Sequence, residues 1–280
     1  LLNLMQKEQP GEKENERARE IEKSIRKKFH KVLFSRFAKA INEYDMIQEN
    51  DKIAVCISGG KDSMLLALLL QDLQRTVDFS LRFLAMDPGY TPEGRARLEA
   101  NAAHLGLPLE VFETNVLRIA GNHAAEHPCF LCAKMRRGYL YTEAQKRGCN
   151  KIALGHHYDD AVETVLMGLI YGGQVQAMLP RLAAKNYAGM ELIRPLYLTR
   201  ERNVQAWAEF CGLDFASCDC PAKQLERDTK RAAVKALIAS LAAENPQIEA
   251  NILNAVKNVD TAKLLGWRDE NGRHSFLDRL

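Results

Sequence analysis

The 280-residue chain has no apolar run near the roughly 20 residues that a membrane-crossing helix needs, which excludes a helical membrane protein. Its N-terminal segment is highly charged rather than a basic stub followed by an apolar stretch, the opening expected of a secretory leader. A cytoplasmic protein with no membrane partner is expected. Charge of one sign is not in excess: 39 Lys and Arg face 36 Asp and Glu for a net +3. With 46% hydrophobic and 27% charged residues, the balance is that of a soluble globular chain rather than a disordered one. No internal repeat or low-complexity tract appears. Cysteine is sparse, seven in all, and an odd number spread over so long a chain argues against a secreted disulfide framework and toward metal binding or catalysis. The length suits one main core with small appendages.

What is present is ordered. From about Glu12 to Glu49, apolar residues at helical spacing (Ile21, Ile25, Phe29, Val32, Leu33, Phe37, Ile41) are interleaved with Lys and Arg, which predicts a long, basic, amphipathic helical arm over residues 1–50. Lys52 to Ile57 reads as a buried strand, Ser58-Gly59-Gly60 as a turn and Asp62 to Gln74 as a helix. Strands follow at Phe79–Met86, Leu109–Phe112 and Lys151–Leu154, alternating with helices at Pro92–Leu105, Ala133–Arg147 and Asp159–Tyr171. That alternation predicts a doubly wound, mainly parallel α/β sheet over residues 51–200, with ligands at the carboxyl ends of its strands. Residues 201–280 read as a helical C-terminal extension, with helices at Glu201–Phe210, Lys223–Ala243 and Pro246–Asp260.

Ser58-Gly59-Gly60-Lys61-Asp62-Ser63 lies between a strand and a helix, where backbone amides and the positive helix end can cradle an anion. Glycine lets the backbone come close to a phosphate. The run is not a Walker A loop, because Val55 stands where its first glycine would be and Asp62 follows Lys61.

Two further runs carry chemistry. Cys129 and Cys132 form a C-x-x-C whose thiolates can share one metal centre, and Cys218 and Cys220 form a C-x-C about 90 residues on. A four-cysteine zinc site and a redox pair are the other readings of these spacings. Cys56, Cys149 and Cys211 sit in or beside apolar stretches and read as buried hydrophobes. The second run, Gly155-His156-His157-Tyr158-Asp159-Asp160-Ala161-Val162-Glu163-Thr164, spans a strand end and a helix start; its paired carboxylates either cap the helix or hold Mg²⁺ against ATP phosphates.

SGGKDS after an apolar strand resembles the signature of the PP-loop ATP pyrophosphatases, which split ATP between its α and β phosphates and pass adenylate to an oxygen. That resemblance implies ATP binding by Ser58, Gly59, Gly60, Lys61, Asp62 and Ser63, with Lys61 neutralising phosphate charge, Asp62 near Mg²⁺, and Met86 and Asp87 at the adenosine end. SGGKDS, the C-x-x-C with Arg136-Arg137-Gly138, GHHYDDAVET, Tyr171-Gly172-Gly173 and Ile193-Arg194-Pro195-Leu196 resemble, as an ordered set over about residues 25–240, the TtcA-like tRNA 2-thiocytidine synthetases. The resemblance implies an adenine nucleotide α-hydrolase-like fold, a [4Fe-4S] cluster on three cysteines, and tRNA as substrate, a cytidine of the anticodon loop becoming 2-thiocytidine. By the same resemblance Cys129 and Cys132 are cluster ligands, Arg136 and Asp160 stand at the reacting end of ATP, and Gly155, His156 and Asp159 belong to the nucleotide site. Where the family usually shows a second C-x-x-C, this chain has Cys218-Asp219-Cys220-Pro221; counting back from the helix near Lys230 favours Cys220 as third ligand, with Cys218 in reserve.

The sulfur donor is expected to be free sulfide or a cysteine desulfurase relay, and a homodimer is among the expectations. Two basic runs, Arg17 to Lys39 and Lys223 to Lys235, are either solvated faces or tracks for RNA phosphates. Sulfur transfer to another tRNA base or a small molecule, and a zinc-stabilised, non-catalytic RNA-binding protein, are the alternatives.

Overall fold

The computed structural model describes residues 10–114, 116, 128–215 and 227–280; in the helices that open at 10, 128 and 227, side chains are described from residues 16, 135 and 230 onward. Two compact units are present, Leu1–Asp160 with Leu179–Thr229, and Ala161–Met178 with Lys230–Leu280.

The first unit is built on six strands: β1 (Lys52–Ile57), β2 (Ser80–Asp87), β3 (Leu109–Glu113), β4 (Lys151–Ala153), β5 (Arg181–Ala183) and β6 (Glu191–Ile193). Their order across the sheet is 3-2-1-4-6-5, all parallel except β5, which runs antiparallel to β6 at the edge. Helices α1 (Pro10–Arg26), α2 (Ser35–Glu43), α3 (Lys61–Leu73), α4 (Pro92–His104), α5 (Pro128–Lys146), α6 (Tyr158–Gly172) and α7 (Glu201–Cys211) follow the chain order. Ile53 to Ile57 are all buried, as expected of a strand covered on both faces. On one face Ala54, in register with Ile152 and through it with Leu192, packs against Tyr141 and Ala144 of α5. The α3 run Met64–Leu70 is buried without interruption, so this helix lies between layers rather than on the surface.

Chain order reverses at β1: β2 and β3 build outward on one side, β4 and β6 on the other. The carboxyl ends of β1 and β4 therefore flank the crevice where this fold takes its ligands.

The expected continuous N-terminal helix is corrected by the structure. It is α1, a turn at residues 27–29, a π turn (His30–Phe34) and α2. The cause lies in the spacing: Ile21, Ile25, Phe29, Leu33, Phe37 and Ile41 recur every fourth residue, and all are buried. An α-helix turns once in about 3.6 residues, so a straight one would carry that stripe off the core; the wider turn brings it back. The arm packs down, with Arg26 paired to Asp72 at 2.6 Å and Phe29 edge-on to Phe210 at 5.7 Å.

The second unit contains the distal part of α6, most of α8 (Arg227–Glu244), α9 (Ile248–Ala255) and a two-stranded hairpin, β7 (Gly266–Asp269) with β8 (Gly272–Ser275). Within it Arg231 Nε donates to the buried Glu163 carboxylate at 2.5 Å, and Lys230 Nζ lies 5.5 Å from the Tyr171 ring centre. The hairpin adds two short strands to an extension expected to be mainly helical. No helix among the described residues is long and apolar enough to cross a membrane.

Candidate functional site

The turn after β1 is held by its serines. The Ser58 amide donates to Ser63 Oγ (3.1 Å), the two hydroxyls lie 3.2 Å apart, and the Ser63 hydroxyl donates to the Gly60 carbonyl (2.9 Å). Gly59 adopts φ +83°, a left-handed conformation that disfavours any side chain. Gly60 is the extended N-cap of α3, so the amides of Lys61 and Asp62 open the helix without intrahelical partners, at its positive end. Lys61 Nζ is 3.2 Å from both Asp62 carboxylate oxygens and 3.9 Å from Glu201 Oε1. Such a lysine can exchange carboxylates for an arriving phosphate.

The run after β4 meets this turn directly. A Cβ on Gly155 would lie 3.0 Å from the Asp62 carbonyl carbon and 3.1 Å from the Ser63 amide nitrogen, contact with backbone that cannot swing aside. Only glycine lets the two strand ends close to this separation. Beyond it, His157 and Asp160 cap α6 reciprocally: the His157 amide donates to Asp160 Oδ2 (3.0 Å) and the Asp160 amide to His157 Nδ1 (3.3 Å). Asp159 ties this helix to the next, accepting from Arg200 Nε (3.2 Å) and from the Glu201 amide (2.7 Å). Both carboxylates thus serve as structural acceptors, while as hard oxygen donors at the carboxyl edge of the sheet they also suit Mg²⁺.

The remaining candidates are placed less centrally. Met86 is buried at the end of β2. Asp87 accepts from the amides of Gly89 (2.8 Å) and Tyr90 (2.7 Å) and pairs with Arg95 (2.9 Å). Burial alone would raise this carboxyl, but those amides and the guanidinium outweigh it and hold it below the usual range. The Asp87 side chain therefore braces its own loop. Arg136 is half-buried on α5, a helix pinned where Tyr187 Oη donates to the Gly138 carbonyl (3.0 Å).

Positions 129 and 132 fall in the first two turns of α5, one turn apart, with side chains outside the described residues; Cys218 and Cys220 lie outside them altogether. Thiol donors three residues apart at a helix start are the chemistry an iron-sulfur cluster takes. Among the described residues there is no group of three or more His, Cys, Asp or Glu that could hold a metal. Cys56, Cys149 and Cys211 are buried as expected, and burial pushes the Cys56 and Cys211 thiols up to about 12, which leaves them unreactive.

Sequence reasoning missed Arg200 and Glu201, which complete the rim from the start of α7. A charged pair opening a helix 40 residues after the Asp pair carries no pattern of its own; only the fold brings it to Lys61 and Asp159.

Comparison with known proteins bears on this rim. Residues 28–238 match the PP-loop domain family. The chain is 37% identical over 231 residues to the tRNA-cytidine(32) 2-sulfurtransferase of Syntrophotalea carbinolica, covering 81% of this chain and 88% of that one. It is 35% identical over 251 residues to the enzyme of the same name from Anaeromyxobacter dehalogenans, covering 86% of each. Among solved structures, the U34-tRNA thiolase NcsA from Methanococcus maripaludis with its [4Fe-4S] cluster superposes with a TM-score of 0.66 at 21% identity, over 81% of this chain and 79% of that one, which shows a shared fold. With a sheet that reverses at β1, a serine-glycine turn on its rim and relatives matched along most of their length, the chain belongs to the PP-loop family and, within it, to that of the tRNA-cytidine(32) 2-sulfurtransferases.

Proposed function

We propose that this chain is an ATP-dependent tRNA thiolase, which adenylates the C2 carbonyl of an anticodon-loop cytidine and replaces that oxygen with sulfur. The observation that carries the reading is the closure of Gly155 onto the Asp62–Ser63 backbone, which joins the glycine turn and the Asp-Asp helix start into one rim in a member of this family.

The amides that open α3 and the Gly59–Gly60 turn take the β and γ phosphates, and Lys61 leaves its carboxylate partners to neutralise the charge that grows as pyrophosphate departs. Met86 and Asp87 shape the adenosine end, and Gly155 and His156 the wall beside it. The cytidine carbonyl oxygen attacks the α phosphorus, and the O–P bond to pyrophosphate breaks. Arg136 faces the phosphoryl group. Sulfide then attacks C2, and the original oxygen leaves on AMP, a far better leaving group than hydroxide. Mg²⁺ held by Asp62, Asp159 and Asp160 would draw charge from the phosphate oxygens. A [4Fe-4S] cluster on Cys129, Cys132 and Cys220, with one iron free of protein ligands, would supply the site for sulfide.

In this division of labour residues 1–50 form a basic arm, 51–200 the ATP-binding domain and 201–280 an extension that carries the third cysteine. A single base of the tRNA has to be splayed out of its loop to reach the site. The setting is cytoplasmic, the sulfur comes as free sulfide or through a desulfurase relay, and a homodimer is the working assembly.

The test is an anaerobic absorbance spectrum of the purified protein alongside its ATP-to-AMP turnover with tRNA. A broad band near ~400 nm, lost in Cys129→Ala, supports the reading; a colourless protein with stoichiometric zinc and no AMP overturns it.

A further inference from the structure

The hairpin of the second unit, β7 with β8, has two faces of different character. Side chains alternate along a strand, so Trp267 and Asp269 share one face with His274, and Arg268 shares the other with Arg273. The first face is closed on itself. Trp267 stacks on His274 with ring centres 4.8 Å apart and planes 14° from parallel, the Arg279 guanidinium lies 4.1 Å from the Trp267 ring centre, and His274 Nε2 is 3.0 Å from Asp269 Oδ1.

The second face is open. Arg268 and Arg273 stand directly opposite each other across the ladder; both are exposed, and neither makes a hydrogen bond, ion pair or ring contact among the described residues. Beside them the face presents Gly266, without a side chain, and Ser275, whose hydroxyl accepts from the Leu277 amide at 3.2 Å. Three acids of the segment are occupied elsewhere: Asp260 pairs with Lys263, Asp269 with His274, and Asp278 accepts from the Ser275 amide at 2.7 Å. Glu270, exposed in the turn, is joined to neither arginine.

Like charges directly opposite on two strands are unfavourable, and a two-stranded hairpin has little stability to set against them. The pair fits an anion that arrives from outside and takes both guanidinium forks, which is how phosphate oxygens are held. The hairpin also lies beyond residue 238, where the match to the PP-loop family ends, so it is an addition to the nucleotide-handling domain rather than a part of it.

We propose that the Arg268–Arg273 face of the hairpin is a docking surface for the phosphate backbone of the tRNA substrate. The identity of that RNA rests on the thiolase reading above. The Trp267, His274 and Arg279 layer braces the ladder from behind, and the two arginines hold backbone rather than bases, adding salt-dependent affinity without reading sequence.

The experiment measures tRNA binding to the full-length, cluster-loaded protein by fluorescence anisotropy over a salt series, for wild type, Arg268→Gln/Arg273→Gln and Arg268→Lys/Arg273→Lys. The double Gln variant is expected to bind about tenfold more weakly at low salt and to flatten the slope of log affinity against log salt by about 1.4 to 1.8, two contacts at about 0.7 to 0.9 each. The double Lys variant, which keeps the charge, should keep the slope. Relief of the repulsion means that the double Gln variant melts no lower than wild type. Should it melt lower, Arg273→Gln alone should show about half the slope change. A wild-type slope in the double Gln variant overturns the proposal, as does an affinity loss with no change of slope. Wild-type tRNA binding with altered sedimentation also overturns it, and would give the face to a protein partner. A wild-type protein that makes no AMP while the slope change holds would sink the thiolase reading and leave the hairpin contact standing.

Discussion

Gly155 decides whether two halves of the rim can meet. A methyl group there would press on the Asp62 and Ser63 backbone at about 3.0 Å, and the turn that opens α3 would have to move. Overpacking of this kind costs on the order of 1–3 kcal/mol. Gly155→Ala is therefore expected to lower thermal stability modestly and to raise the KM for ATP at least tenfold, measured by AMP release; a wild-type KM would show that the turn tolerates the shift. Asp87 teaches a different lesson. It stands where a nucleotide ligand was expected, yet its carboxylate is committed to Gly89, Tyr90 and Arg95. Asp87→Ala should loosen that loop, with a stability loss of ~1–3 kcal/mol in urea unfolding at neutral pH. Because the carboxyl is held below its usual range, this contribution is present above the ordinary carboxylate pKa and fades as pH falls through the depressed one. A loss equally large well below that point would contradict the assignment.

At the scale of elements, an ion pair ties α8 to α6 inside the second unit. Arg231 donates to Glu163, whose side chain is only 7% exposed. Arg231→Ala leaves that carboxylate buried alone, and a loss of about 1–3 kcal/mol is expected from chemical denaturation, with Glu163→Gln in the same background recovering part of it. No recovery would mean that Arg231 acts through packing. Elements with a strong period were legible in the sequence: β1 and the α3 and α4 helices fall where alternation and capping signals put them, within a residue or two. The short strands β5 and β6 were not, because three residues carry no period and their pairing is set by the neighbouring β4. The β7–β8 hairpin turns through Glu270-Asn271, with Gly272 at φ +128° opening β8 opposite Asp269, and its Asn-Gly pair is a local signal that the helical reading of the extension passed over. The π turn was hidden because a four-residue apolar repeat looks helical until its drift is followed over six positions. For the rim, the glycine turn and the Asp-Asp run were readable as chemistry. Their contact through Gly155, and the arrival of Glu201 at Lys61, are products of the sheet order and could not be read from spacing.

Over the whole molecule, net charge hides the distribution. Lys27, Lys31 and Arg36 are exposed on the arm, while Arg26 is tied to Asp72, so part of the basic run holds structure and part is open to an anionic partner. If the open part follows tRNA phosphates, the logarithm of affinity falls against the logarithm of salt with a slope of about −0.7 to −0.9 per phosphate contact. Replacing Lys27, Lys31 and Arg36 by Ala should flatten that slope by about two to three without changing AMP formation at saturating tRNA. A slope equal to wild type would return these residues to the role of a solvated face.

On the proposed function, one rim uses ATP to exchange oxygen for sulfur on a tRNA base. Mass spectrometry of nucleosides from tRNA incubated anaerobically with the cluster-loaded protein, ATP and sulfide tests it most directly. The wild-type protein is expected to form 2-thiocytidine in step with AMP, and Lys61→Ala and Cys129→Ala to form neither product. Unmodified cytidine alongside wild-type release of AMP, or thiolation that survives loss of Cys129, would contradict it.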